Sequence, residues 1–381
     1  MPLKISSRFD GGAIEIVQAE RPEQIDLRIR KDSHAEFLQW FYFRLQGVKN
    51  TPCMMRFLNA GVSSYPDGWK GYQAVASYDR KSWFRVPTSF DGQILTIAHA
   101  PEGDSVYYAY FEPYSWERHL DLLGRAQQEP GVAIRDLATT RDGRDLNAIV
   151  IGNEDAPKKV WVIARQHPGE TMAEWFVEGM VEALLDRANP LAARLREKVV
   201  FYIVPNMNPD GAVRGNLRTS ATGANLNREW VTPTAQYSPE VLAVRTLMHA
   251  TGCDLFLDIH GDEGLPYVFV AGSEMLEGFS AEQATQQQAF IDCLKAASPD
   301  FQTEYGYAAS KYREEVLRLA SKYVAHHFKC VSLTLEMPFK DNAILPDPAV
   351  GWDGRRSATL GAAMLVPILA AFGGSQGAAA G

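Results

Sequence analysis

Two kinds of hydrophobic patterning divide the chain. Up to about residue 115, apolar and polar residues alternate in short runs. Ala13-Ile-Glu-Ile-Val17 and Ile25-Asp-Leu-Arg-Ile29 have the period of two expected of half-buried strands. Gln39-Trp-Phe-Tyr-Phe-Arg-Leu45 and the runs at 54–58, 72–76, 94–98 and 106–111 continue it, several of them aromatic. Pro66-Asp-Gly68 and Asp91-Gly92 punctuate them as turns. Short strands at this spacing predict an all-β sandwich with its aromatic side chains in the core.

Residues 115–128 have helical spacing and stop at Glu129-Pro-Gly131, where the pattern changes. Buried-strand runs at 146–151, 160–164, 198–204, 255–259 and 329–336 then alternate with helical runs at 171–185, 192–197 and 238–250. Ser238 is placed to cap the last of these, with Pro239 in its first turn. Alternation of this kind predicts an α/β domain with a mostly parallel or mixed sheet and helices on both faces. The expected organisation is a β-sandwich domain over 1–125 and an α/β domain over 126–373. Residues 358–372 read as one packed terminal helix, and the Gly/Ala-rich tail, 374–381, is expected to be disordered.

Composition narrows the function more than the fold. The 381 residues are 46% hydrophobic and 22% charged, enough for two buried cores. A net charge of −8 argues against nucleic-acid binding. The start lacks an apolar signal core, and no apolar run reaches the roughly 20 residues that span a bilayer. Cys53, Cys253, Cys293 and Cys330 form no CxxC pair, which argues against a thiolate metal site. These features predict a reduced, cytoplasmic protein that does not enter membranes.

The chemistry gathers at predicted strand ends. Strand 160–164 runs into Arg165-Gln-His-Pro-Gly-Glu170, which places His167 and Glu170 on a turn between a strand and a helix. Open α/β sheets put their sites at such ends. Strand 255–259 runs into His260-Gly-Asp-Glu-Gly264. Two imidazoles and one carboxylate are a catalytic zinc set with a fourth position left for water. Strand 329–336 ends in Glu336, a carboxylate able to take a proton from such a water. The polar loop from Asn206-Met-Asn-Pro-Asp-Gly211 to Arg228-Glu-Trp230 carries two arginines suited to charge. Arg218 suits a developing oxyanion, and Arg228 beside Asn227 suits a substrate carboxylate. Taken singly, each of these residues is more commonly an exposed loop or strand-end group.

In this order, His167-Pro-Gly-Glu170, Asn208-Pro-Asp-Gly211, Asn225-Leu-Asn-Arg228, His260 and Thr334-Leu-Glu336 resemble a zinc metallocarboxypeptidase of the carboxypeptidase A superfamily. Gly215-Asn-Leu-Arg218, Leu226-Asn-Arg-Glu-Trp230, Trp40-Phe-Tyr-Phe-Arg44 and Trp83-Phe-Arg-Val-Pro-Thr88 resemble the cytosolic carboxypeptidase subfamily, bacterial type. The resemblance covers nearly the whole chain. It implies one zinc ion held by His167, Glu170 and His260, with Glu336 as general base and Arg218 on the oxyanion. It implies that Asn227 and Arg228 grip the free C-terminal carboxylate of a peptide or protein substrate. Asn225 stands where relatives often carry Asp. Members often remove C-terminal glutamate. Ser310-Lys-Tyr-Arg-Glu-Glu-Val-Leu-Arg318 resembles the family's basic segment, which makes Lys311 and Arg318 the candidates for an acidic side-chain pocket. On the residues alone, this segment reads equally as a charged helix face. The alternative activity is that of an acyl-amino-acid amidohydrolase of the aspartoacylase or succinylglutamate desuccinylase type, which shares the His, Glu, Asn-Arg and His pattern.

Overall fold

A computed structural model describes residues 2–308 and 316–373. The tail 374–381 and Lys311 lie outside the described residues. The amino-terminal part contains β1 (Lys4–Ser6), β2 (Glu15–Arg21), β3 (Gln24–Arg28), β4 (Tyr42–Gln46), β5 (Cys53–Phe57), β6 (Val75–Ser77), β7 (Phe84–Arg85), β8 (Thr88–Phe90), β9 (Leu95–His99) and β10 (Ser105–Ala109). These form two five-stranded sheets, ordered β1-β4-β10-β6-β7 and β2-β3-β5-β9-β8. The alternating pattern of β4 and β5 turns Phe43 and Phe57 inward from opposite sheets, and Phe41 joins them, its ring centroid 4.6 Å from that of Phe57. The aromatic residues are core, as their spacing predicts. β4 starts at Tyr42, not Gln39, because Gln39 pairs through its side-chain amide with the backbone of Tyr65 instead of joining the ladder.

The second part contains α1 (Trp116–Ala126), β11 (Val132–Thr139), β12 (Asp145–Ile151), β13 (Lys158–Ala164), α2 (Met172–Leu185), α3 (Pro190–Lys198), β14 (Val199–Val204), α4 (Pro209–Arg214) and α5 (Pro239–Thr251). It continues with β15 (Leu255–Asp262), β16 (Phe269–Ala271), α6 (Ala281–Ala297), α7 (Ala320–Phe328), β17 (Val331–Pro338), α8 (Gly354–Ala363) and α9 (Leu365–Gly373). One seven-stranded sheet runs β11-β12-β14-β13-β15-β17-β16. Its inner pairs β13–β14, β13–β15 and β15–β17 are parallel, and the outer pairs are antiparallel. The strand Val160-Trp-Val-Ile-Ala164 is apolar throughout because both its faces are covered. Val160, Val162 and Ala164 join the layer of α2, α8 and α9, whereas Trp161 and Ile163 join the layer of α5 and α7.

Two local expectations change. Ser238 holds the cap position of α5, but its hydroxyl accepts from Thr234 N (3.2 Å), outside the helix. Residues 358–372 form parts of two helices, which separate at Met364, three residues before Pro367. Proline lacks the N–H that would continue the ladder back to Ala363. Helix α1 is tied to α2: Arg118 and Arg125 both pair with Glu178 at 2.7 Å, and His119 meets Glu174 at 2.7 Å. A domain boundary ahead of α1 keeps these pairs within one unit, and we propose it there.

Candidate active site

The turn after β13 is built from its first residue. Arg165 adopts a left-handed backbone (φ 58°), which costs a non-glycine residue about 1 kcal/mol. Its buried guanidinium bends back to compensate. Nε donates to Pro168 O (2.9 Å), and Nη1 donates to Tyr114 O (3.0 Å) and Glu174 Oε2 (2.6 Å). Gly169 donates its N–H to Leu217 O at 2.8 Å, and a Cβ there would lie 3.0 Å from the backbone of Leu217. The turn is thus closed from both sides, with His167 and Glu170 buried within it.

Glu170 bridges the two histidines. Its Oε1 lies 2.6 Å from His167 Nδ1 and its Oε2 lies 2.7 Å from His260 Nδ1. One donor atom from each of the three residues falls within 4.8 Å of the others. The far nitrogens face acceptors: His167 Nε2 lies 3.1 Å from Asn225 Oδ1, and His260 Nε2 lies 2.9 Å from Asp258 Oδ1. Asp258 also takes two bonds from Gln166 Nε2, each 2.9 Å. The Nδ1 atoms of both rings and the Glu170 carboxylate thus meet on one side of the cluster. With Nε2–H held behind them, both Nδ1 atoms would be free to ligate once a metal displaced their protons. That donor set fits a divalent metal of the zinc class.

Burial dominates the local electrostatics. It holds the His167 imidazole down at about 3, with the Arg218 guanidinium adding and Glu170 opposing. Burial alone would raise Glu170, but the two imidazoles hold it below the usual carboxylate range. Burial pulls His260 down, and the carboxylates of Asp258 and Glu170 more than offset this. Glu336 is pushed up to about 8 by burial, with His260 opposing and Glu170 and Asp262 adding.

Strand register brings Glu336 to the cluster. On the parallel pair β15–β17, His260 is the direct partner of Glu336. Both side chains therefore leave the sheet on one face. Tyr307 OH lies 3.0 Å from Glu336 Oε1 and 2.6 Å from Asp262 Oδ2. Glu336 Oε2 is buried with no hydrogen-bond partner among the described residues.

A cleft of about 780 Å³ opens over the cluster, lined by Arg218, Asn227, Arg228 and Lys322 and roofed by Tyr65 and Asp67 of the sandwich. The Arg218 guanidinium carbon lies 5.6 and 5.7 Å from the ring centroids of Phe37 and Tyr65. Asn227 approaches His260 Nε2 at 3.3 Å and accepts from Ala320 N at 2.9 Å. Arg228 donates to the carbonyl of Asn227 (2.7 Å). Arg318 is exposed and donates to Arg228 O (3.0 Å).

Residues 121–351 match the family model described as zinc carboxypeptidase, and residues 5–111 match the cytosolic carboxypeptidase N-terminal domain. The chain belongs to the zinc carboxypeptidase family. This carboxypeptidase is similar to a metallo-carboxypeptidase from Burkholderia cenocepacia, with 60% identity, 97% of this chain and 98% of that one covered, and a TM-score of 0.95. It is also similar to a metallo-carboxypeptidase from Pseudomonas aeruginosa solved with (2-guanidinoethylmercapto)succinic acid (44% identity, 96% and 99% covered, TM-score 0.92). Cytosolic carboxypeptidase 4 of Mus musculus is 27% identical over 72% of this chain, which spans 29% of that protein's length. The comparisons do not favour the amidohydrolase reading. Among the described residues of this carboxypeptidase, no helix is long and apolar enough to cross a membrane.

Sequence reasoning missed Asp258, Tyr307, Lys322 and Asp32. One had a visible signal. Asp258 interrupts an apolar strand, and a carboxylate buried there needs a partner. Lys322 lies in a helix whose burial becomes apparent only from the packing of α7 against β17.

Proposed function

We propose that the protein is a zinc-dependent metallocarboxypeptidase that hydrolyses the last peptide bond of peptides or proteins in the cytoplasm. The observation that carries this is the registered pair His260–Glu336, which sets an unpartnered carboxylate oxygen beside the His167, Glu170 and His260 donors. His167, Glu170 and His260 would hold the ion. A bound zinc ion supplies Lewis acidity there, polarising the scissile carbonyl and making water more acidic. Glu336 removes a proton from the attacking water and returns one to the leaving amine. Arg218 faces the oxyanion that develops on the carbonyl. Asn227 and Arg228 hold the substrate's terminal carboxylate, which restricts cleavage to the chain end. The names of the cytosolic relatives support the location, as do four free cysteines, two of which, Cys253 and Cys330, lie with their sulfurs 4.0 Å apart.

We further propose a preference for C-terminal glutamate or aspartate, with Lys322 as its main cation. Lys322 is buried on α7 and lines the cleft with Ala271 and Thr334. Its ammonium donates to Ala271 O (3.2 Å) and Gly272 O. Burial lowers its pKa to about 8, with Glu274 and Asp258 opposing, so it stays largely protonated at neutral pH. Lys322 joins Lys311, which lies outside the described residues, and Arg318 as a candidate cation for that pocket.

The test is a C-terminal specificity profile of the metal-loaded enzyme and its variants. Glu- and Asp-terminated peptides should lose one residue, and a chelator should stop this until zinc is restored. Glu336→Gln should keep its metal and lose at least about 1,000-fold in kcat. Lys322→Gln should cut kcat/KM for Glu-terminated peptides by about 10–100-fold while sparing Leu-terminated ones. Turnover of acetyl-aspartate in preference to any peptide would reject the peptidase reading.

A further inference from the structure

Arg218 belongs to the α/β part, yet the sandwich holds both its backbone and one face of its side chain. Asp32 is buried between the two parts, and its carboxylate accepts four bonds from one short stretch of the loop. Leu217 N donates to Oδ1 (2.6 Å), while Arg218 N (2.7 Å), Thr219 N (2.9 Å) and Thr219 Oγ1 (3.1 Å) donate to Oδ2. Asp32 is itself fixed, its N–H donating to Phe37 O at 2.8 Å. That turn brings Phe37 round to face the Arg218 guanidinium, which also faces the Tyr65 ring. Neighbouring contacts hold the same seam: Ser33 N and Oγ both donate to Asn216 Oδ1 (3.1 and 3.2 Å), and Arg30 donates to Arg214 O.

We propose that the Asp32–Phe37 turn of the sandwich positions Arg218 for the oxyanion. Asp32 fixes the backbone at Arg218, and Phe37 fixes the plane of the guanidinium. A carboxylate suits this task because successive N–H groups need an acceptor at each of two oxygens. Asparagine has only one acceptor and would turn an NH2 group towards one set of donors. The two rings offer cation–π contact to the guanidinium, whose planar fork suits a developing oxyanion. The amino-terminal sandwich then shapes the reaction through residues that never touch substrate. This inference rests on the reading of Arg218 as oxyanion partner.

The experiment is a double-mutant cycle in the full-length, metal-saturated enzyme with a Glu-terminated peptide. It compares wild type, Asp32→Asn, Arg218→Ala and the double variant, with Phe37→Leu in both backgrounds as a second probe that removes only a half-exposed ring. Asp32→Asn should lower kcat about tenfold, with KM within about twofold, because the contact it disturbs forms in the transition state. Phe37→Leu should move kcat in the same direction by a smaller factor. Neither should cost anything further once Arg218 is alanine. Equal losses in both backgrounds, or no loss from either change, would overturn the proposal. If Asp32→Asn does not fold, the Phe37→Leu comparison decides alone. If Arg218→Ala itself leaves kcat unchanged, the oxyanion reading has failed, whatever Asp32 does.

Discussion

At the scale of single residues, the proposed site depends on acceptors placed behind the candidate ligands. His260 and His167 are treated differently. A buried carboxylate, Asp258, stands behind the first, and a neutral amide, Asn225, behind the second. A carboxylate makes the ring a stronger donor and fixes its tautomer. Gln166 holds Asp258 with both oxygens engaged, so the carboxylate cannot turn away. Replacing Asp258 with Asn keeps the volume and removes the charge. Metal affinity should fall by about 10–100-fold, measured by competition with a chromogenic chelator. An affinity within twofold of wild type would show that the carboxylate does not tune the ligand. Glu336 and the three candidate ligands stood out in the sequence because each lies at, or a few residues beyond, the end of a short apolar run read as a buried strand. Asp32 was not, because its partners lie 185–187 positions away along the chain, and no local pattern announces them.

At the scale of elements, the position of the ligand-bearing turn depends on how closely α2 can be covered. Helices α2 and α8 cross with their backbones in contact. A Cβ on Gly361 would lie 1.9 Å from Phe176 O, and one on Gly179 would lie 2.1 Å from Ala358 O. Only glycine permits that approach. Gly361→Ala should therefore destabilise the fold by about 3 kcal/mol or prevent folding, measured by denaturant unfolding. Gly124, in α1, has open space where its Cβ would lie, so Gly124→Ala should stabilise by about 0.5–1 kcal/mol. If the two variants have equal stability, the crossing is not what limits the packing. Element legibility followed the same physics. β13 and α2 carry unmistakable apolar runs. The sequence of α6, Ala-Glu-Gln-Ala-Thr-Gln-Gln-Gln, is too polar to show its buried face, and α4 sits where a polar loop was expected. The break at Met364 is the effect of one proline within an otherwise continuous apolar run.

At the scale of the whole molecule, the two parts share one core. The sandwich's Phe41, Phe57 and Tyr108 belong to the same buried cluster as Val162, Phe176 and Leu335 of the α/β part. The junction lies just beyond Glu336. The Phe339 ring stacks on Tyr110 at 4.6 Å and meets Phe111 edge-on at 5.9 Å. Lys340 donates to Lys70 O (2.8 Å), and Arg85 pairs with Asp341 at 3.4 Å, both largely shielded from solvent. With the Asp32 seam on the other flank, the sandwich grips the cleft from two sides. Interfaces between domains usually permit relative motion unless they are large and apolar, and this one is continuous with the core. The metal-free protein should therefore unfold in a single calorimetric transition, with calorimetric and van't Hoff enthalpies equal. The metal-free form is the sharper test, because a bound ion would stabilise the α/β part selectively and could mask weak coupling. Phe339→Ala removes the stacked ring and should cost about 3–5 kcal/mol. It should also separate the transition in two, the sandwich and the α/β part then melting at different temperatures. Two transitions in the unaltered protein would mean that the parts are only docked. A single, merely lowered transition in Phe339→Ala would place the coupling in the Asp32 seam, on the Arg218 side of the cleft.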